Sequence, residues 1–249
     1  MKSKRVFVSI MLVTALVVQV FAQKSKSMEE ESLKLFLYSE KEFEKVSAYI
    51  EQQYGECEGV LHEFASADIH CDIVIVPPTD EQPFYKLVTE GAGAYKMKIP
   101  FSARSQASNN RAEYVVFLPK DWNLKSGKEE DYWPIRMLKT VSRLPIWTED
   151  WLGSGHSVNL TEDGNPVAEN TKFNSCVLLD SKGKDNQIVE PLKLNFFGSK
   201  RVAFYQLYPL YQEELEYKLK ISYKELLEKV GAENINNLIV DIHRKSFCE

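Results

Sequence analysis

Hydrophobic residues fall along this chain in three rhythms, and each rhythm predicts a different kind of element. Val6 to Ala22 is a nearly unbroken apolar run that contains Gln19 and follows Lys2, Lys4 and Arg5. From Phe43 the spacing becomes helical: Phe43, Val46, Ile50 and Tyr54 recur on one face. Ser39 and Glu42 stand before this stripe as an S-x-x-E capping box, Tyr38 and Phe43 occupy the staple positions around it, and Gly55 is a left-handed stop. From Asp68 to Val76 the period drops to two, with Ile69, Cys71, Ile73 and Ile75 alternating with His70, Asp72, Val74 and Val76. Both sets are largely apolar, so this strand should be covered on both faces until Pro77 and Pro78 end it.

Further strands are expected at 84–89, broken by Gly91 and Gly93, and at 112–118 before Pro119. The polar stretch 123–131 reads as a loop. Trp133-Pro134 opens a second helix, with proline in the tolerated first turn, buried through Ile135, Leu138, Val141 and Leu144 and ended by Pro145. Strands at 173–179, 188–196 and 201–207 follow, the first connection being Ser181 to Asn186. Helices follow at 211–220 and 223–230, the latter capped by Ser222 with Glu225 and closed by Gly231. A last strand covers 238–242. Runs of strands with flanking helices define an α+β fold, a mixed and mostly antiparallel sheet flanked by helices. The chain shows no internal repeat.

A basic start, an apolar core and the ending Val20-Phe21-Ala22-Gln23 have the layout of a secretory signal peptide cut after Ala22. Residues 1–22 are therefore assigned to a signal, 23–32 to a polar linker and 33–249 to one folded domain. The alternative for 6–22 is an uncleaved inner-membrane anchor, and membrane association is expected only in that case. Composition supports a globular domain: 44% apolar and 27% charged residues among 249. The formal net charge of −5 becomes −8 once the three cations of the signal are removed, which argues against nucleic acid and for a basic partner met in the periplasm or outside the cell. Cys57, Cys71, Cys176 and Cys248 permit three disulfide pairings; buried free thiols at Cys71 and Cys176 are the simpler reading.

Candidate chemistry adds little to that picture. Trp151-Leu-Gly-Ser-Gly-His156 invites a nucleophile elbow, yet Leu152 stands where the first glycine of G-x-S-x-G must be, so a turn at Gly153 and Gly155 is expected. In His70-Cys71-Asp72, strand alternation turns Cys71 away from His70 and Asp72, which can pair with each other. Glu213, Glu214 and Glu216 suit a helix N-terminus, and Glu214 with Lys218 is a stabilising i, i+4 pair on a solvated face. No catalytic, cofactor or metal residue is assigned. The candidate partner-binding residues are Trp122, Trp151, His156, Glu213, Glu214 and Glu216, tryptophan being enriched at binding hot spots.

Four blocks in order resemble the suppressor-of-fused domain family. They are His70-x-Asp72-Ile73 with Val76-Pro77-Pro78-Thr79 and Pro83-Phe-Tyr-x-Leu-Val-Thr89; Arg111 to Trp122; Trp133 to Leu138 with Trp151 to His156; and Phe204 to Tyr211 running into Glu213 to Leu219. The resemblance covers about residues 30–247. It implies an α+β fold, no catalytic centre and action by holding other proteins. The bacterial members it is most like imply an immunity protein that neutralises a toxin. Two departures stand out: the second lobe that completes the peptide clamp of the animal protein is missing, and a signal peptide is present. An exported hydrolase or a structural envelope protein are the alternatives.

Overall fold

The computed structural model describes residues 35–104 and 109–249. The expected signal 1–22 and linker 23–32 lie outside the described residues. Among those described, the strands are β1 (Gly59–Leu61), β2 (Asp72–Val76), β3 (Phe84–Glu90), β4 (Ala112–Pro119), β5 (Ser157–Asn159), β6 (Ser175–Asp180), β7 (Leu192–Lys193) and β8 (Arg201–Leu210). The α-helices are α1 (Glu40–Tyr54), α2 (Glu129–Thr148), α3 (Gln212–Lys218) and α4 (Tyr223–Val230). The sheet runs β1-β2-β3-β4-β8-β6-β5, with β7 paired to β8. Every neighbouring pair is antiparallel except β4 and β8, which set Tyr114 opposite Tyr205 in parallel. A parallel pair needs a long crossover, and the segment carrying α2 supplies it.

The sheet is buried on both faces, as the apolar alternation predicts. Tyr114, Val116, Leu118, Cys176, Leu178, Tyr205 and Leu207 point into a core shared with Trp133, Leu138 and Val141 of α2. Their neighbours Val115, Phe117, Val177, Leu179, Val202, Phe204 and Tyr208 point to the other side, against Val46, Ile50 and Tyr54 of α1 and Leu226 and Val230 of α4. Leu138, Val141, Val46 and Ile50 are wholly buried.

Local signals place most elements, and the departures have physical causes. The Ser39 N–H donates to the Glu42 carboxylate at 3.2 Å, starting α1 where the capping box predicts. Phe43 is nevertheless 40% exposed, because Tyr38 turns inward to bond Glu113 instead of meeting it across the cap. Gly55 does stop α1, at φ 120° and ψ 175° rather than in the left-handed helical region. The helix α2 starts five residues before Pro134, its first turn carrying Glu129, Glu130 and Asp131. Pro134 thus lies in the helix interior, and the Glu130 carbonyl it cannot bond accepts from Asn170 Nδ2 at 3.0 Å. Pro145 does not end α2, which runs three residues further and stops at Glu149 with φ 54°.

Two predicted strands shrink. Only Leu192–Lys193 of 188–196 forms a ladder, and 238–242 is reduced to one bridge, Ile239 to Phe117. The registered β4–β8 pairing ends at Val115, and the Phe117 carbonyl beyond it accepts from Val240 N–H at 2.9 Å. The strand expected from Asp68 begins at Asp72 because the Cys71 N–H is taken by the Glu63 carboxylate at 3.1 Å. The four cysteines are free thiols, Cys71 and Cys176 buried among them.

Candidate functional site

His70 and Cys71 point apart, as expected, although both lie just before β2 and not on the strand. The His70 Nε2 meets Asp72 Oδ1 at 3.1 Å, and His62 Nδ1 meets the other oxygen at 2.9 Å. Cys71 points into the core beside Ser142 Oγ at 3.7 Å, and burial pushes its thiol up to about 12. A thiol held that high supplies no thiolate at neutral pH. The surrounding charges serve the fold. Arg143 Nη2 bonds Glu63 at 2.7 Å while its Nε bonds Asp68 at 3.1 Å, tying the loop before β2 to α2. Among the described residues no group of three or more His, Cys, Asp or Glu is placed to hold a metal ion.

The Trp151–His156 loop is built around its glycines. A Cβ at Gly153 would stand 2.6 Å from the Trp151 ring, and Gly155 has φ 83° with its backbone against Tyr223. Both glycines are thus needed for the chain's own rings, in keeping with the turn expected there. Trp151 folds back over Gly153 and meets His156 edge to face at 4.4 Å. Burial lowers the His156 pKa, reinforced by the Lys218 charge and opposed by its bond to the Trp151 backbone. Ser154 Oγ donates to Tyr223 Oη at 2.7 Å, so its hydroxyl is held by a phenol and not by an imidazole. That phenol also donates to Asp180 Oδ2 at 3.3 Å and accepts from Asp180 N–H at 3.2 Å.

Between this loop and β8 lies a cleft of about 450 Å³, lined by Trp151, Ser154, Asp180, Glu190, Arg201 and Tyr205 among others. Burial, with the Asp180 charge beside it, pushes the Tyr205 phenol up to about 12, leaving it a neutral hydrogen-bonding group. The cleft therefore offers an aromatic edge, hydroxyls, two carboxylates and the Arg201 guanidinium, the chemistry of recognition.

The remaining candidates separate. Trp122 is half-buried, its Nε1 donating to Asp131 O at 2.8 Å and its ring against Trp133 at 6.0 Å; it covers α2. Glu213 and Glu216 are exposed, as a solvated face predicts, but Glu214 is 0% exposed and is corrected from a surface residue to a buried one. Glu214 accepts from Arg244 Nη1 and Nη2 at 2.5 Å each, and from the N–H groups of Tyr211 and Phe247 at 3.0 Å each. Lys218, its expected partner, bonds Ser157 Oγ at 3.2 Å instead. Arg244 lies over the rings of Phe173, Tyr208 and Tyr211. Burial alone would lower the Arg244 pKa, yet the Glu214 carboxylate outweighs it and the net shift is upward.

Sequence reasoning missed Glu113. This wholly buried carboxylate accepts from the Tyr38 hydroxyl at 2.7 Å, the Thr89 hydroxyl at 2.6 Å and the N–H groups of Gly91, Ala92 and Gly93 at 3.0–3.2 Å. Burial raises its pKa to about 7, against the pull of the Thr89, Tyr38, Gly93 and Gly91 donors. Gly91, at φ 124°, has no room for a Cβ beside the His70 carbonyl, and a Cβ at Gly93 would collide with Tyr38. The available signal was the pair Gly91 and Gly93 itself, which marks a tight carboxylate cradle as well as a strand end.

The layered α+β domain thus buries Cys71 and Cys176, holds His62 and His70 on Asp72 and His156 against Trp151, and leaves an open polar cleft. The chain belongs to the suppressor of fused family, whose model matches residues 67–245. That family is a non-catalytic family of protein-interaction modules. The fold is shared with a suppressor of fused homologue from Neisseria gonorrhoeae, 18% identical over 84% of this chain and 98% of that one, with a TM-score of 0.56. A chain in the Sufu–Fu complex is 10% identical over 82% of this chain and 90% of its own, with a TM-score of 0.54. Drosophila Suppressor of Fused is also 10% identical, with a TM-score of 0.56 over 82% of this chain and 50% of that one. No curated protein sequence matches the chain.

Proposed function

We propose that this chain binds and neutralises a basic protein, with the cleft beside Trp151 as the contact. The observation that carries the reading is the cleft's lining: Trp151, the neutral Tyr205 phenol and the carboxylates of Asp180 and Glu190 on one concave surface. Family membership supports a protein as the occupant, and the Sufu–Fu complex is a case in which a protein of this fold is held with another. A net charge of −5, or −8 after removal of residues 1–22, favours a cationic partner such as a secreted toxin or nuclease. On this reading the protein acts as an immunity protein after export. Trp151 supplies the desolvated anchor, worth about 2 kcal/mol or more, and the carboxylates speed encounter.

The test is a pull-down from the native organism, followed by binding kinetics at two salt concentrations for wild type and Trp151→Ala. We expect a basic protein whose association slows with salt and whose dissociation quickens in the variant. Equal affinity for both proteins would exclude the cleft. Recovery of a retained small molecule with no protein partner would favour a hydrolase. Export is tested separately by the intact mass of protein from the native envelope, which should begin at Gln23.

A further inference from the structure

The turn between β7 and β8 carries two adjacent aromatic residues that the fold does not use. Phe196 is 98% and Phe197 88% exposed, and their rings meet edge to face at 5.6 Å. The turn is a built structure. Asn195 Nδ2 donates to Ser199 Oγ at 2.8 Å, Asn195 Oδ1 accepts from Lys200 N–H at 3.2 Å, and Asn195 O accepts from Gly198 N–H at 3.1 Å. Arg201 Nε bonds Gly198 O at 2.9 Å, and Gly198 adopts φ 64°. Two large apolar side chains are thus held outward on a braced tip, at a cost in hydration that an intended contact would recover.

The charges around the tip say what that contact is. Lys193 pairs with Arg201 across the two strands, and both side chains reach within 3.6 Å of where a Cβ at Gly198 would be. Among the described residues neither meets a carboxylate. Lys45 donates to Leu194 O at 3.0 Å close by, and Lys200 is balanced by Glu42 at 2.5 Å. The tip is locally cationic on a chain of net charge −5. Two phenylalanines bury about 150–250 Å² each, well short of the roughly 1,000 Å² a specific protein interface requires. An anionic bilayer surface needs no such area: one apolar wedge and a few cations are the two signals that together give reversible attachment.

We propose that Phe196 and Phe197 insert into the headgroup region of an anionic membrane, with Lys193 and Arg201 on its phosphates. The tip would hold the protein at the membrane surface beside the cleft, whose wall Arg201 also lines. The test is hydrogen exchange of residues 195–199 in the full chain, with vesicles of phosphatidylglycerol and phosphatidylcholine in equal parts or of phosphatidylcholine alone. A readout confined to the tip excludes any membrane affinity of residues 1–22. Protection with the anionic vesicles is expected, lost in Phe196→Ser/Phe197→Ser. In Lys193→Gln/Arg201→Gln half-protection should require roughly thirtyfold more lipid, from about fivefold per cation. No protection of the tip by anionic vesicles would overturn the proposal. So would equal protection by both vesicle types, or protection without lipid that vanishes on dilution, which would assign the tip to a contact between copies.

Discussion

Replacing Glu214 by alanine probes the one place where a residue expected at the surface is sealed inside. The wild-type carboxylate is 0% exposed, and the Arg244 side chain facing it 15%. Glu214→Ala leaves a guanidinium without its countercharge and strips the Tyr211 and Phe247 N–H groups of their acceptor. Removing one partner of a buried pair costs about 3–5 kcal/mol, and the two orphaned amides hold the effect at the upper end. At roughly 2–4 °C per kcal/mol for a domain of this size, Tm should fall by about 6–20 °C. The three rings around Arg244 suit a cation, yet they also suit an apolar chain, so Glu214→Met/Arg244→Met should lose less than the sum of its single variants. Urea unfolding of the four proteins, read by tryptophan fluorescence, completes the cycle. A loss below about 1 kcal/mol for Glu214→Ala, the range of surface changes, would refute the reasoning, as would strict additivity.

Three further outcomes follow from the same packing. Leu138→Ala should cost about 2–5 kcal/mol through lost burial and the cavity left against the sheet, measured by the same unfolding curves. Gly91→Ala should prevent the tight turn at φ 124° that cradles Glu113, and a soluble variant with an unchanged Tm would contradict it. Glu113 gives a pH signature: its pKa is raised from 4.5 to about 7, so between those values the folded state binds the proton more readily than the unfolded chain. Its contribution to stability therefore falls as pH rises through that window. The wild-type minus Glu113→Gln difference in unfolding free energy should carry that slope, and a flat difference would show that the five donors keep the carboxylate ionised.

What was legible in the sequence is what nearest neighbours along the chain decide. Capping boxes at Ser39 and Ser222, the two-residue alternation through β2, and the existence of strands near β3, β4, β6 and β8 all follow from local geometry and periodicity. They were sufficient to specify an α+β fold with a sheet covered on both sides. The tertiary structure decided whatever depended on a partner distant in sequence. Pro134 is tolerated inside α2 because Asn170 takes the carbonyl it orphans. The 238–242 strand shrinks to the Ile239–Phe117 bridge because β8 pairs with β4 as far as Val115, leaving only the end of that edge. Glu214 reads as a solvated helix-start carboxylate until Arg244 folds over it, 30 residues later. Glu113 looks like any polar residue at a strand end, since its donors come from Tyr38 and from the turn after β3. An ionisable side chain carries no local signature of burial; only the arrangement of distant donors determines whether it can leave water.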